Sequence, residues 1–186
     1  MGFKIRGYTR TVPQDKVRDY SLFAIACEGT EREPDYFRLF DGIDRIKVDI
    51  IDDVCSRENG GTIQSRPSSP SHVLERVLAY MEEYQLDAKY GDTLWCVIDK
   101  DRWPQEQIEE LYNFCSGKKN CFLTISNPCI EVWLLYHKLE DLSELDIHSA
   151  QDAKKALGDI EPGGYYYIKY LPLMLQAIMN ATKEDS

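Results

Sequence analysis

Four short apolar runs, each followed by a stretch with helical spacing, are the feature that most constrains the fold of this chain. The runs are SLFAIAC from Ser21, IKVDII from Ile46, TLWCVI from Thr93 and CFLTI from Cys121. Runs of this length are too short for buried helices and are typical of strands covered on both faces. Helices are predicted after them at 34–40, 73–84, 104–115 and 128–136. This alternation predicts an α/β fold with a mostly parallel four-stranded sheet flanked by helices.

The chain has the length of one compact domain, with 186 residues. We predict an N-terminal arm over 1–20, a core over 21–137 and a helical C-terminal extension of the same domain over 138–186. The stretch 55–71 is rich in Gly, Ser and Pro, which predicts a loop, and Ser71 is predicted to cap the helix that follows it.

Charge limits the classes of function. The formal net charge is −10, which argues against binding nucleic acid through a broad basic surface. Two interpretations of the acidic residues remain: a solvated acidic surface, or a few carboxylates that converge on divalent cations. No apolar stretch has the length of a membrane helix and no signal peptide is recognisable, so we expect a cytoplasmic protein that does not enter a membrane.

The cysteines form no C-x-x-C pair, and several lie in or beside the predicted strands. We therefore predict that they are buried free thiols that pack as small hydrophobic groups. The chain contains six of them: Cys27, Cys55, Cys96, Cys115, Cys121 and Cys129.

Acidic residues follow the first and third predicted strands. Glu28 comes directly after the first strand, and Asp99 and Asp101 come after the third. Ligands of open parallel sheets bind beyond the carboxyl ends of the strands, near the point where the strand order reverses. If strands one and three are neighbours, the three carboxylates meet there and favour Mg²⁺ or Mn²⁺. Gly29 would let a phosphate or a metal approach the backbone closely. A D-x-D that caps a helix and an E-G turn without function remain the alternatives.

These residues resemble motifs of one family. The segment Cys27–Gly29 with Glu33–Phe37 resembles the C-E-G-x-x-T-E-P-x-Y-F opening of RloB-like proteins, with Arg32 where that family usually has Thr. Val97–Asp101 resembles the D-x-D strand of the family. Ser126–His137 closely matches its S-N-P-C-F-E-L-W-L-L-x-H signature.

The likeness extends toward the C-terminus, where the Tyr167-x-Lys169 segment and the helix over 177–181 are similar to the C-terminal part of the family. RloB-like proteins are similar to Toprim domains, the fold of topoisomerases, bacterial primases and OLD-type nucleases. The resemblance therefore implies a Toprim-like (Rossmannoid) core in which Glu28, Asp99 and Asp101 hold Mg²⁺ or Mn²⁺ for phosphodiester chemistry.

The same resemblance implies a setting, because the family is typically encoded beside an ATPase in phage-defence or restriction loci, of the kind that act by abortive infection. We accordingly expect a metal-dependent nuclease that cleaves DNA or RNA with water as the nucleophile and acts with a partner ATPase. Its oligomeric state stays open, and a homo-oligomer is compatible with the sequence.

Further candidate site residues are Lys169, Arg102, Glu33, Asn127 and Glu131. Lys169 is the candidate cation that stabilises the charge of the transition state, and Arg102 either contacts phosphate or forms a helix-cap salt bridge. Glu33 either adds a carboxylate to the site or compensates the dipole of a helix. Asn127 and Glu131 either join the site or form a capping box.

Two other functions are compatible with clustered acids at these strand ends. One is a non-catalytic scaffold that uses a Toprim-like site to dock an ATPase, for which no site-dependent metal binding is required. The other is a receiver-like phosphoacceptor domain, which a stable beryllofluoride adduct on Asp99 would reveal. His137 is expected to be a surface or hydrogen-bonded histidine rather than a general base.

Overall fold

The computed structural model describes residues 18–51, 68–100, 103–162 and 166–184. Most of the predicted arm, most of the predicted 55–71 loop, and Asp101 and Arg102 lie outside the described residues. The division of the chain into arm, core and extension stays a prediction.

Each apolar run forms a strand, and the observed bounds differ from the predicted ones by at most one residue. All neighbouring strands are parallel, and their order is β2-β1-β3-β4. The order reverses between β1 and β3, whose register pairs Cys27 with Val97. The predicted four-stranded parallel sheet is therefore confirmed. The strands are Ser21–Cys27 (β1), Ile46–Ile50 (β2), Thr93–Asp99 (β3) and Cys121–Ser126 (β4).

Helices cover both faces of the sheet. Two of them, α2 and α3, pack on one face through a cluster that includes Val77, Leu111 and Leu94. The opposite face of the sheet packs against α1 and the residues directly after it. The helices α5 and α6 pack on α4. The helices are Arg32–Arg38 (α1), Pro70–Glu83 (α2), Gln105–Ser116 (α3), Ile130–Tyr136 (α4), Ala150–Ile160 (α5) and Met174–Glu184 (α6).

Two predicted helix caps are wrong by two residues. The cap of α2 is Ser69 rather than Ser71: Ser69 is extended, its hydroxyl accepts a hydrogen bond from the His72 N–H at 3.3 Å, and Pro70 occupies the first turn. At α4 the predicted cap Asn127 lies outside the helix, because Cys129 is extended and is itself the N-cap residue. The peptide bond between Asn127 and Pro128 is cis.

The C-terminal helix α6 is hydrogen-bonded to the end of α4 and to the residues that follow it. Asn180 of α6 is buried, and its amide donates hydrogen bonds to the carbonyl oxygens of Tyr136 and Leu139 at 2.9 and 2.8 Å. The bond to Tyr136, the last residue of α4, satisfies a carbonyl group of the kind that a helix end leaves without an intrahelical partner. Within the described ranges, no helix has both the length and the apolar character needed to cross a membrane.

Candidate metal centre

Glu28 and Asp99 meet at the point where the strand order reverses. The Glu28 N–H donates to the Val97 carbonyl at 2.8 Å, which extends the β1–β3 ladder past the end of β1. The Glu28 carboxylate, 5% exposed, accepts a hydrogen bond at Oε2 from the Asp99 N–H at 3.1 Å. The expectation that strands one and three are neighbours is thus confirmed, and two of the three predicted ligands are brought together.

Asp99 is held from the other side by α4. Its Oδ1 accepts a hydrogen bond from the Ile130 N–H at 3.1 Å. The next residue, Lys100, donates its N–H to the Ser126 carbonyl at 2.8 Å, so the β3–β4 ladder also continues past the end of the strand. The backbone of Asp99 is therefore held by β3 and Glu28, and its side chain is oriented by α4. Asp101 and Arg102 follow outside the described residues.

Glu33 lies over the backbone of the β1–α1 turn. It belongs to the first turn of α1 and is 6% exposed. A Cβ placed on Gly29 would lie 2.1 Å from Glu33 Oε2 and 2.7 Å from Oε1. The close approach that we expected at Gly29 is therefore made by a carboxylate of the chain itself.

Glu131 is a buried acid whose partner comes from another helix. Its side chain is 1% exposed and forms an ion pair with Arg32 of α1, while its Oε2 has no hydrogen-bond partner among the described residues. Since Cys129 rather than Asn127 caps α4, Glu131 closes no capping box with Asn127. A buried charge is costly unless it is paired. The residue that departs from the family motif, Arg32, thus supplies the charge that Glu131 needs.

Lys169 lies in the C-terminal extension. Its ammonium group is 3.5 Å from Glu161 Oε1 and 4.9 Å from the centre of the Tyr166 ring. These contacts connect it to the end of α5 and to the adjoining 3₁₀ turn, and neither involves the carboxylates at the sheet edge. Its predicted catalytic role stays a prediction.

Arg76, which our sequence analysis missed, is a cation at this edge of the sheet. Its Nη2 donates to the Cys27 carbonyl at 2.6 Å, at the end of β1, and its Nε donates to the His72 carbonyl at 3.3 Å. The sequence signal that could have identified Arg76 is its position on the helix. Position 76 falls at helical spacing in the same stripe as the buried Val73 and Val77, and a charged residue in an apolar stripe indicates a specific partner.

His137 belongs to a buried network and not to the sheet edge. The Trp133 indole donates to the Tyr36 hydroxyl at 2.7 Å, and that hydroxyl lies 3.2 Å from His137 Nε2. His137 Nδ1 is 3.0 Å from the Trp133 carbonyl. Burial lowers the pKa of His137, which favours the neutral ring. The expectation of a hydrogen-bonded histidine is confirmed, and the residue is buried rather than on the surface.

The side chains at this edge fit a hard divalent cation in donor type. Glu28, Asp99, Glu33 and Glu131 all offer carboxylate oxygens, which suit Mg²⁺ and Mn²⁺. The second oxygen of Glu131 is buried without a hydrogen bond within the described part of the chain. Over the same residues, no three of these carboxylates place oxygen atoms within 4.8 Å of one another. A metal held at this edge would need a further close ligand, for which Asp101 is the candidate that the sequence predicts.

A separate groove of about 580 Å³ lies on the face of the sheet that α1 covers. Its lining is almost wholly apolar and includes Phe23, Phe40, Trp95 and Trp133. Phosphate groups are not suited to such a lining, because it offers few donors to replace their hydration. The groove is therefore distinct in chemistry from the carboxylate edge.

Comparison with protein-family models places the chain in a family. The family described as RloB-like protein matches residues 23–185, which is most of the chain. No curated protein and no solved structure matches the chain.

Proposed function

The chain belongs to the RloB-like protein family, and on that premise we propose that it is a divalent-metal-dependent nuclease of the Toprim type. The observation that carries the proposal is the hydrogen bond from the Asp99 N–H to Glu28 Oε2, which joins two acidic strand ends at the reversal of strand order. This is the position at which parallel α/β sheets bind ligands.

The proposed ligands of Mg²⁺ or Mn²⁺ are Glu28, Asp99 and Asp101. Glu28 and Asp99 are each anchored through one carboxylate oxygen, to a backbone N–H of β3 and of α4 respectively. Such anchoring orients a ligand before the ion arrives and lowers the cost of binding. Glu33, on the helix that follows β1, adds negative charge to the same edge, whereas the charge of Glu131, on the helix that follows β4, is balanced by Arg32.

A bound ion supplies Lewis acidity toward the scissile phosphodiester and makes a coordinated water more acidic. Glu28 is the residue that we expect to accept the proton of the attacking water. Arg76 and the exposed Lys100 are the described cations suited to offset charge that develops on the phosphate, since each adjoins the carboxyl end of β1 or β3. The acidic chain, at −10, predicts that nucleic acid binds weakly unless the metal is present.

The decisive experiment combines metal binding with cleavage. Mn²⁺ binding is measured by calorimetry, and cleavage is measured with single-stranded DNA, duplex DNA and RNA that includes tRNA. We expect the double variant Asp99→Asn with Asp101→Asn to lose both Mn²⁺ binding and Mn²⁺-dependent cleavage. The matched control, Asp146→Asn with Asp159→Asn, removes two exposed carboxylates and should retain both. Unchanged cleavage in the first variant would exclude these residues as the metal ligands of a nuclease.

We further propose that a partner ATPase acts with the chain, and an exposed apolar strip on α6 supports a protein partner. Leu175 and Met179 are 76% and 58% exposed, and Ile178 lies between them on the same helix. Isolated apolar residues are ordinary at a surface, but a contiguous strip on one helix is typical of an interface. Leu175→Asp with Met179→Asp should abolish co-purification with the proposed partner ATPase, whereas Glu144→Lys, a charge change outside the strip, should not.

A second candidate function is a scaffold without catalysis, and the ion pair between Arg32 and Glu131 favours it. The Arg32 guanidinium of the chain itself already balances one buried acid at this edge, so a metal is needed less to offset the negative charge there. Titration with Mg²⁺ separates the two functions. A scaffold shows no binding that depends on Asp99, whereas the nuclease binds and loses its affinity in Asp99→Asn.

A further inference from the structure

Three cysteines from three different elements bring their sulfur atoms together inside the core. Cys96 lies on β3, Cys115 on α3 and Cys121 at the start of β4, and all are buried. Cys115 Sγ is 3.8 Å from Cys96 Sγ and 3.3 Å from Cys121 Sγ. All three sulfur atoms lie within 4.8 Å of one another, and they are the one such group of potential metal ligands in the described ranges.

The cluster lies away from the carboxylate edge. Cys121 pairs with Leu94, near the amino end of β3, whereas Asp99 is the last residue of that strand. At the usual rise of a strand, position 94 is roughly 16 Å from position 99, and Cys96 itself is roughly 10 Å from Asp99 along β3. The thiols are therefore a separate site.

Their spacing suits a soft ion. Thiolate sulfurs bound to Zn²⁺ at about 2.3 Å in a tetrahedron lie about 3.8 Å apart, which is close to the separations of 3.3 and 3.8 Å in the structure. A disulfide needs about 2.05 Å, so the sulfurs are unbonded. Thiolates prefer Zn²⁺ and similar ions to Mg²⁺, and the two kinds of site on this chain would thus select different metals.

A cavity adjoins the cluster at Cys121. This cavity, of about 310 Å³, is lined by Cys121, Lys118 and Asn120, among others. It offers a path for an ion and space for a water as the fourth ligand, which sites with three protein ligands retain. Three thiolates around Zn²⁺ carry a net charge of −1, and Lys118, which lines the same cavity and donates from its ammonium group to the Phe114 carbonyl at 3.3 Å, has the sign that balances it.

We propose that Cys96, Cys115 and Cys121 form a Zn²⁺ site with three thiolate ligands and a fourth position open to the cavity. Binding releases the thiol protons to solvent and changes no oxidation state. Because the ligands come from β3, α3 and β4, the ion would cross-link the sheet to a helix and stabilise the folded chain.

The test uses the full chain, reduced and stripped with a chelator, and Co²⁺ as the spectroscopic probe. Saturating Mg²⁺ is present throughout to occupy the carboxylate edge. We expect one equivalent of Co²⁺ to bind with sulfur-to-cobalt charge-transfer absorption, which carboxylates do not produce, and Zn²⁺ to displace it. Cys121→Ser should weaken binding by at least about 100-fold, since even the loss of an outer partner costs 10- to 100-fold.

The matched control is Cys129→Ser, which alters a buried thiol outside the cluster and should leave the absorption intact. Absorption that persists in Cys121→Ser, or its absence from the unaltered chain, would overturn the site. A measurement without variants guards against misfolding. Zn²⁺ should protect Cys96, Cys115 and Cys121 from alkylation in mild denaturant but not Cys129, and equal labelling of all four would also overturn it.

Discussion

Replacing Gly29 with alanine tests the arrangement of acids at the sheet edge through a steric contact. The new Cβ would lie 2.1 Å from Glu33 Oε2 and 2.7 Å from Glu33 Cδ. The φ angle of Gly29 lies outside the left-handed region, so alanine adds no backbone strain of its own. The Glu33 carboxylate has to move instead, and it is 6% exposed. Overpacking of this kind costs about 1–3 kcal/mol.

The assay is urea unfolding followed by circular dichroism. Gly29→Ala should lower the free energy of unfolding by about 1–3 kcal/mol, with a lower midpoint and an unchanged slope. Gly158→Ala is the matched control, since position 158 lies inside α5 and has no atom within 4 Å of a new Cβ. It should raise stability by about 0.5–1 kcal/mol, because alanine is the better helix former.

A double-mutant cycle isolates the cause. In a Glu33→Ala background the carboxylate is gone, and we expect Gly29→Ala to lose most of its cost. If the cost is the same in both backgrounds to within about 0.5 kcal/mol, Glu33 is not what fills the space over Gly29, and the reasoning is refuted.

Three further predictions concern buried polar groups, and each is measured by denaturant unfolding. Asn180→Ala should cost about 1–3 kcal/mol, because the buried amide donates two hydrogen bonds, to the Tyr136 and Leu139 carbonyls, that alanine cannot replace; a loss below about 0.5 kcal/mol would contradict this. Burial lowers the pKa of His137, so its contribution to stability is complete above about pH 6.5 and is lost as the pH falls further; His137→Gln should flatten the profile between pH 7 and 5. Burial opposes the ionisation of Asp92, but the hydrogen bond from Arg18 and those from backbone N–H groups outweigh it and lower its pKa. The stability that Asp92 contributes is therefore present above its ordinary pKa of 3.8 and is lost as the pH falls below it; Asp92→Asn should lower stability at pH 7 and weaken the acid dependence, and an unchanged profile would count against the ion pair.

The strands could be predicted almost to the residue, whereas the helix starts could not. A strand buried on both faces is a continuous apolar run, so composition alone marks its ends. A helix cap depends on one residue taking an extended conformation, and nearby polar residues compete for that place. The sequence favoured Ser71 and Asn127, and the structure has Ser69 and Cys129.

For the candidate metal centre, the sequence by itself determined that Glu28 and Asp99 follow the ends of two buried strands. Parallel strands share one carboxyl edge, so this placement was enough to select them. The family likewise follows from motifs within the chain and matches 23–185.

Only the tertiary structure decided which side chains join them. Arg32 meets Glu131 across about a hundred residues of chain, Arg76 reaches the end of β1 from α2, and Cys96 and Cys121 meet Cys115 from separate strands. No local periodicity records such pairings, because they depend on the order of the strands and on which face each helix covers. The carboxylate edge could therefore be predicted from the sequence, whereas the ion pair between Arg32 and Glu131 and the thiol cluster could not.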